Sequence, residues 1–159
     1  MSGGDGLRIL VVEDEALIAL ELQCLLEDLG HVIAGVAASS AEAIELGRAT
    51  SPDIALVDIH LIDGPTGVEV ARILSLDPRT SVVFMTANDK RIPADFAGAL
   101  GVIAKPYSER AVAGALRYVA AIRAGGQPEP HGSDGFRPAS EGVAEGALWS
   151  QKPWAGARP

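Results

Sequence analysis

The strongest constraint on this chain is a run of apolar residues, Ile54-Ala-Leu-Val57, closed by a single aspartate, Asp58. The run shows no apolar–polar alternation. A strand with one wet face would alternate, so this one belongs in the middle of a parallel sheet, covered on both sides. Asp58 then stands where the strand leaves the sheet. In open α/β sheets the carboxyl ends of the strands are where ligands bind. Such a strand needs neighbours to flank it and helices to cover it.

The rest of the chain supplies them. Leu7–Val12 is largely β-branched and runs directly into Glu13-Asp14-Glu15. Residues 15–29 have helical spacing, with Ile18, Leu22, Leu25 and Leu29 on one stripe and Gly30 as the stop. Cys24 within this helix is expected to be a small buried hydrophobe. His31–Val36 forms a second strand. Ser39 or Ser40 caps a helix to about Ala49, and Ser39 with Glu42 has capping-box spacing. Thr50-Ser-Pro-Asp53 breaks the chain before the central strand.

Beyond Asp58, the turn-rich loop Leu61–Gly67 leads into a helix from about Thr66 to Leu76, closed by Asp77-Pro78. Ser81–Thr86 is a fourth strand ending in a hydroxyl residue. Ala87–Gly98 is short and contains Pro93, which is poorly placed inside a helix; it holds one or two turns around residues 93–99. Gly101–Ala104 is a fifth strand that delivers Lys105-Pro106. Ser108 caps a last helix to about Arg123, with Val112, Leu116, Val119 and Ala120 on its apolar side.

This order is (βα)₅, a doubly wound α/β sheet with right-handed crossovers. Residues 1–6 are expected to be a disordered N-terminus and residues 7–124 the folded domain. From Gly125 to Pro159, 12 of 35 residues are Gly or Pro and no period survives, so a disordered C-terminal tail is expected. Both tryptophans, Trp149 and Trp154, lie in it, as does His131. With 48% hydrophobic and only 4% aromatic residues, the core must be aliphatic. No apolar run approaches the roughly 20 residues of a membrane span, and the polar N-terminus is not a signal peptide. One cysteine forms no internal disulfide, which suits a reducing cytoplasm. A net charge of −8 without a basic cluster argues against nucleic acid as a partner.

Glu13, Asp14, Asp58, Thr86 and Lys105 all fall at carboxyl ends of strands and so share one edge. Three carboxylates that close repel unless a cation joins them. Hard oxygen ligands of this kind suit Mg²⁺. A metal, a hydroxyl and an ammonium around one carboxylate make a receptacle for a phosphoryl group, with Asp58 as the nucleophile. Taken singly, each residue has a bland reading: acids opening a helix, a β-forming threonine, a solvated lysine. Glu15 fits the first of these, and His31 reads as a residue at a strand edge.

Together, Val12-Glu13-Asp14-Glu15, Leu56-Val57-Asp58, Met85-Thr86-Ala87 and Ala104-Lys105-Pro106 resemble the receiver domain of two-component response regulators over residues 7–123. The resemblance implies a flavodoxin-like fold with strand order 2-1-3-4-5. It implies phosphorylation of Asp58 by a sensor histidine kinase. It implies Mg²⁺ held by Asp14, Asp58 and the backbone carbonyl of His60, with Glu13 acting through water. Thr86 and Lys105 would bind the phosphoryl group, and the Lys105-Pro106 bond would be cis. The side chains of His60 and Asn88 would modulate dephosphorylation.

The chain departs from the family at Val102, where many receivers place an aromatic switch residue. That absence, and the short stretch from Thr86 to Lys105, resemble a subgroup of receivers that often stand alone and work with atypical histidine kinases. Residues 125–159 are too few and too rich in Gly and Pro for a DNA-binding output domain. A stand-alone receiver is therefore expected, acting on an unknown downstream protein by contact or exchanging phosphate with a phosphotransfer protein. The face formed by residues 90–123 is a candidate homodimer surface. The alternatives are a non-phosphorylated pseudo-receiver scaffold and a Mg²⁺-dependent small-molecule phosphatase. The latter usually wants a second acid two residues past the nucleophile, where His60 stands.

Overall fold

The computed structural model describes residues 6–126, Pro128 and residues 135–139 of the chain. Five strands run parallel: β1 (Arg8–Val12), β2 (Val32–Ala37), β3 (Ile54–Asp58), β4 (Ser81–Thr86) and β5 (Gly101–Ala104). Their order in the sheet is β2-β1-β3-β4-β5. Every residue of β3 is buried, as its unalternating run requires. Successive side chains of the strands feed two separate cores. Leu10, Val12, Ala55, Val57 and Phe84 pack with α2 (Ser40–Thr50) and α3 (Gly67–Leu74). Ile9, Val11, Ile54, Leu56 and Met85 pack with α1 (Ala16–Asp28) and α4 (Glu109–Arg123). Each fully buried aliphatic side chain contributes roughly 1.5–3 kcal/mol, and both faces of the sheet collect many of them.

Local signals place the helix starts. The Ser39 hydroxyl accepts from the Glu42 N–H at 3.2 Å, and the Glu42 carboxylate reaches back to the Ala38 N–H at 2.8 Å. Ser108 accepts from the Ala111 N–H at 3.0 Å. In α1 the stripe differs from the expected one. Ala19, Leu22 and Leu26 are the buried residues, while Leu17 and Leu20 are 68% and 55% exposed. Cys24 is exposed rather than buried. The reason is that α1 is apolar at most positions from Ala16 to Leu26, so several stripes satisfy the helical period equally and packing alone selects one.

The crossover from β4 to β5 holds no α-helix. It makes two single 3₁₀ turns, Asp89–Arg91 and Phe96–Gly98. Phe96 and Ala97 adopt positive φ of 55° and 50°, a costly backbone for residues with a Cβ. Burial of both against the α3 side of the sheet offsets that cost, and the Asp95 carboxylate caps the Ala97 N–H at 2.9 Å.

A sixth strand corrects the expected tail. β6 (Phe136–Pro138) lies antiparallel on β5, pairing Gly101 with Pro138, Val102 with Arg137 and Ile103 with Phe136. Three residues are too few to carry a period, which is why they do not stand out in a segment rich in Gly and Pro. The expectations for residues 1–5, His131, Trp149 and Trp154 lie outside the described residues. Among the described residues no helix is long and apolar enough to cross a membrane.

His31 is structural. Its Nδ1 accepts the Leu7 N–H at 3.0 Å, joining the start of β1 to the residue before β2. Burial lowers its pKa from the ordinary 6.5. A depressed folded-state pKa contributes stability that is complete above 6.5 and lost as pH falls through the folded value. In urea titrations wild type should therefore lose more stability than His31→Asn between about pH 7 and pH 5.

Candidate functional site

The carboxyl edge of the sheet gathers most of the buried polarity. Of the four buried polar or charged residues among those described, Glu13, Asp58 and Thr86 lie there, at 2%, 7% and 4% exposure. The fourth, Thr80, is satisfied elsewhere by the Pro52 carbonyl at 2.8 Å. Glu13 follows β1, Asp58 ends β3, Thr86 ends β4 and Lys105 follows β5, so the parallel register alone brings them to one rim.

The Lys105 ammonium holds the centre. Its Nζ donates to Glu13 Oε1 at 2.9 Å and to Asp58 Oδ2 at 3.0 Å. Burial alone would pull the ammonium's pKa down. The hydrogen bonds to Glu13 and Asp58, with the charges of both, outweigh it and hold the pKa above the ordinary lysine value. Lys105 therefore stays cationic at any physiological pH. The remaining Asp58 oxygen, Oδ1, accepts from the His60 N–H at 3.3 Å, and Glu13 Oε2 accepts from the Glu15 N–H at 3.1 Å. The Lys105-Pro106 bond is cis.

Asp14 is exposed and adds a third carboxylate. Glu13, Asp14 and Asp58 each offer an oxygen within 4.8 Å of the others. Three acids against one ammonium leave uncompensated negative charge, and the donors are all hard oxygens, so a small hard divalent cation fits the set. Both oxygens of Glu13 and both of Asp58 already accept protein hydrogen bonds, so a cation here would share each of them with a donor, and Asp14 adds an exposed carboxylate to the set.

Above this floor lies a cleft of about 430 Å³, lined in part by Asp58, His60, Thr86, Asn88, Lys105 and Pro106. The Thr86 hydroxyl does not face Asp58. It accepts the Asn88 N–H at 3.1 Å and donates to the Asn88 carbonyl at 3.3 Å. The Asn88 side chain caps the Lys90 N–H at 3.1 Å. Val102, the expected switch position, is buried in β5 beside Phe84 of β4 and outside the cleft lining.

Three supports escaped the sequence reading. A Cβ on Gly67 would overlap the carbonyl oxygen of Asp58, so only glycine lets the start of α3 press against the Asp58 backbone. Asp63 ties the β3–α3 loop down: its carboxylate accepts the Ser40 hydroxyl at 2.5 Å and the Thr66 hydroxyl at 2.8 Å. Those bonds, the Ser40 hydroxyl first, lower its pKa. The third is the ion pair of Asp89, just past Thr86, with Arg137 of β6 at 2.8 Å. Gly67 had a signal, a glycine as the first residue of a helix; the Ser40–Asp63 and Asp89–Arg137 pairings join distant segments and left none.

The description "Response regulator receiver domain" matches residues 9–117. The chain belongs to the response regulator receiver family. It is 36% identical over 102 residues to the phyllosphere-induced regulator PhyR of Methylorubrum extorquens, covering 63% of this chain and 38% of that one. It is 30% identical over 118 residues to the chemotaxis protein CheY of Thermotoga maritima, covering 72% of this chain and 98% of that one. The solution structure of the Erythrobacter litoralis PhyR receiver domain superposes with a TM-score of 0.61 at 31% identity, covering 70% of this chain and 87% of that one. PhyR and similar regulators are longer: the chain spans 38% to 50% of the curated relatives it matches first. Receiver domains are signalling domains, and the family carries an acidic cluster that generally binds Mg²⁺.

Two substitutions test this geometry. Lys105→Met should cost about 3–5 kcal/mol in metal-free buffer, because it leaves two buried carboxylates facing each other. In an Asp58→Asn background the same change should cost clearly less, and a double-mutant cycle by urea unfolding measures the difference. Gly67→Ala should lower stability by about 1–3 kcal/mol through overpacking against Asp58, read by thermal unfolding.

Proposed function

We propose that this receiver domain accepts a phosphoryl group on Asp58 and acts as a cytoplasmic signalling module. The donor is a phosphohistidine of a sensor histidine kinase or of a phosphotransfer protein. The observation that carries this reading is the Lys105 ammonium, 3.0 Å from Asp58 Oδ2 at the floor of a cleft that also holds Thr86 and the acidic cluster.

In the transfer, an Asp58 carboxylate oxygen attacks phosphorus. The P–N bond to the donor imidazole breaks with its electron pair going to nitrogen, and solvent supplies the proton that restores the neutral ring. Asp14, Asp58 and the His60 carbonyl would hold Mg²⁺, with Glu13 acting through water, and the ion would supply positive charge opposite the phosphoryl oxygens. Lys105 neutralises a further equatorial oxygen from the other side, already oriented by Glu13 and Asp58. The Thr86 hydroxyl, once it turns from Asn88, donates to another. His60 and Asn88 line the mouth of the cleft, where water would reach the acyl phosphate.

A small-molecule phosphatase has less support. His60 is exposed two residues past the nucleophile, where that chemistry usually has an acid, and no second folded unit is present among the described residues to enclose a substrate. A scaffold that never uses phosphate would leave the exposed third carboxylate, Asp14, beside the Glu13–Lys105–Asp58 bridge without a use.

Acetyl phosphate with Mg²⁺, followed by intact mass, tests the reading. A single phosphoryl adduct should form on wild type, vanish with chelator and be absent in Asp58→Asn. Thr86→Ala should still form the adduct. No Mg²⁺-dependent adduct on wild type overturns the proposal.

A further inference from the structure

We propose that the outer edge of β5 is a strand-docking surface whose resident occupant is this chain's own segment Gly135–Ala139, and that phosphorylation of Asp58 loosens that occupant. The inference rests on the phosphoryl-acceptor reading above.

The edge is fitted to its occupant. The Ala104 N–H donates to the Gly135 carbonyl at 2.8 Å, and the Ala139 N–H donates to the Leu100 carbonyl at 2.7 Å, bracketing the antiparallel pairing of β5 with β6. Phe136 is 4% exposed and its ring centroid lies 5.4 Å from that of Tyr118 on α4. Gly101 makes this approach feasible. A Cβ there would come within 2.7 Å of the Arg137 carbonyl oxygen and of the Phe136 ring. A short strand held by a few backbone bonds and one buried ring belongs to the least protected part of a sheet, where local opening is cheap.

A continuous set of contacts runs from this strand to the phosphoryl site. The Thr86 hydroxyl is spent on both backbone groups of Asn88, which fixes the turn carrying Asp89. Asp89 in turn pairs with Arg137 at 2.8 Å. Thr86, Asp89, Val102, Phe136 and Arg137 also line one cavity of about 330 Å³. The hydroxyl has one proton, so it cannot donate to the Asn88 carbonyl and to a phosphoryl oxygen on Asp58 at once. When that proton turns to the phosphate, the Asn88 carbonyl loses its donor, the turn relaxes, and Asp89 withdraws from Arg137. The cavity gives Thr86 and Val102 room to shift. The aliphatic Val102 fills little of that space, so Arg137, its partner in the β5–β6 register, is the residue that meets the change.

Hydrogen exchange by mass spectrometry on the full chain tests this, using Mg²⁺ with or without acetyl phosphate and an intact-mass control for the adduct. Adduct formation should reduce protection in Gly135–Ala139 and at Ala104, and Asp58→Asn should show no change. Gly101→Ala should lack that protection from the start while still forming the adduct. Arg137→Gln should be partly deprotected without phosphate. An adduct that leaves protection of Gly135–Ala139 unchanged in wild type overturns the inference while the phosphoryl-acceptor reading stands. No adduct at all overturns both.

Discussion

Everything at the carboxyl edge depends on one ammonium. β1 and β3 each run through buried apolar residues to a carboxylate at the strand end, and the two meet at the rim with almost no access to water. Alone, that pair would be among the most unfavourable contacts in the molecule. Lys105 resolves it by donating to both, at 2.9 and 3.0 Å. The same arrangement that makes two buried acids tolerable pre-positions a cation beside Asp58. Stability and the proposed chemistry therefore use one interaction.

The bridge in turn depends on strand register. Glu13, Asp58 and Lys105 come from three different strands, and a slip of one residue in any of them would turn its side chain to the other face. Register is held by the two cores, which interleave along every strand, and by the packing of α3 under Asp58 through Gly67. The Asp63 contacts with Ser40 and Thr66 add a tether from α2 to the loop that follows Asp58. The β3–α3 loop is thereby tied to helices rather than left to solvent.

Much of this was legible in the sequence because it follows from pattern. The apolar run of β3 gave a doubly covered strand, and the strand ends then had to converge on one edge. That argument located Glu13, Asp14, Asp58, Thr86 and Lys105 without coordinates. What was not legible has two physical causes. One is degeneracy: α1 is so uniformly apolar that period alone could not choose between the stripe of Leu25 and that of Leu26, and Cys24 was misplaced with it. The other is sequence distance. Asp89 and Arg137, or Ser40 and Asp63, are ordinary surface residues until the fold brings them together. The orientation of the Thr86 hydroxyl toward Asn88 belongs to this second class, since a strand position fixes where a side chain starts and not what it bonds.

Val102 ties these threads together. A switch works when two states differ in which groups are satisfied, and an aromatic ring at this position would supply one such difference by moving between solvent and core. Valine cannot, because it is buried already and has no polar end to carry outward. The β5 edge beside it is instead completed by β6, which places an aromatic ring over Gly101 and a guanidinium within reach of the loop after Thr86. The large side chains missing from β5 itself are thus present on the strand paired with it. They are held there by fewer backbone bonds than a core strand makes, and a short edge pairing of that kind opens at low cost.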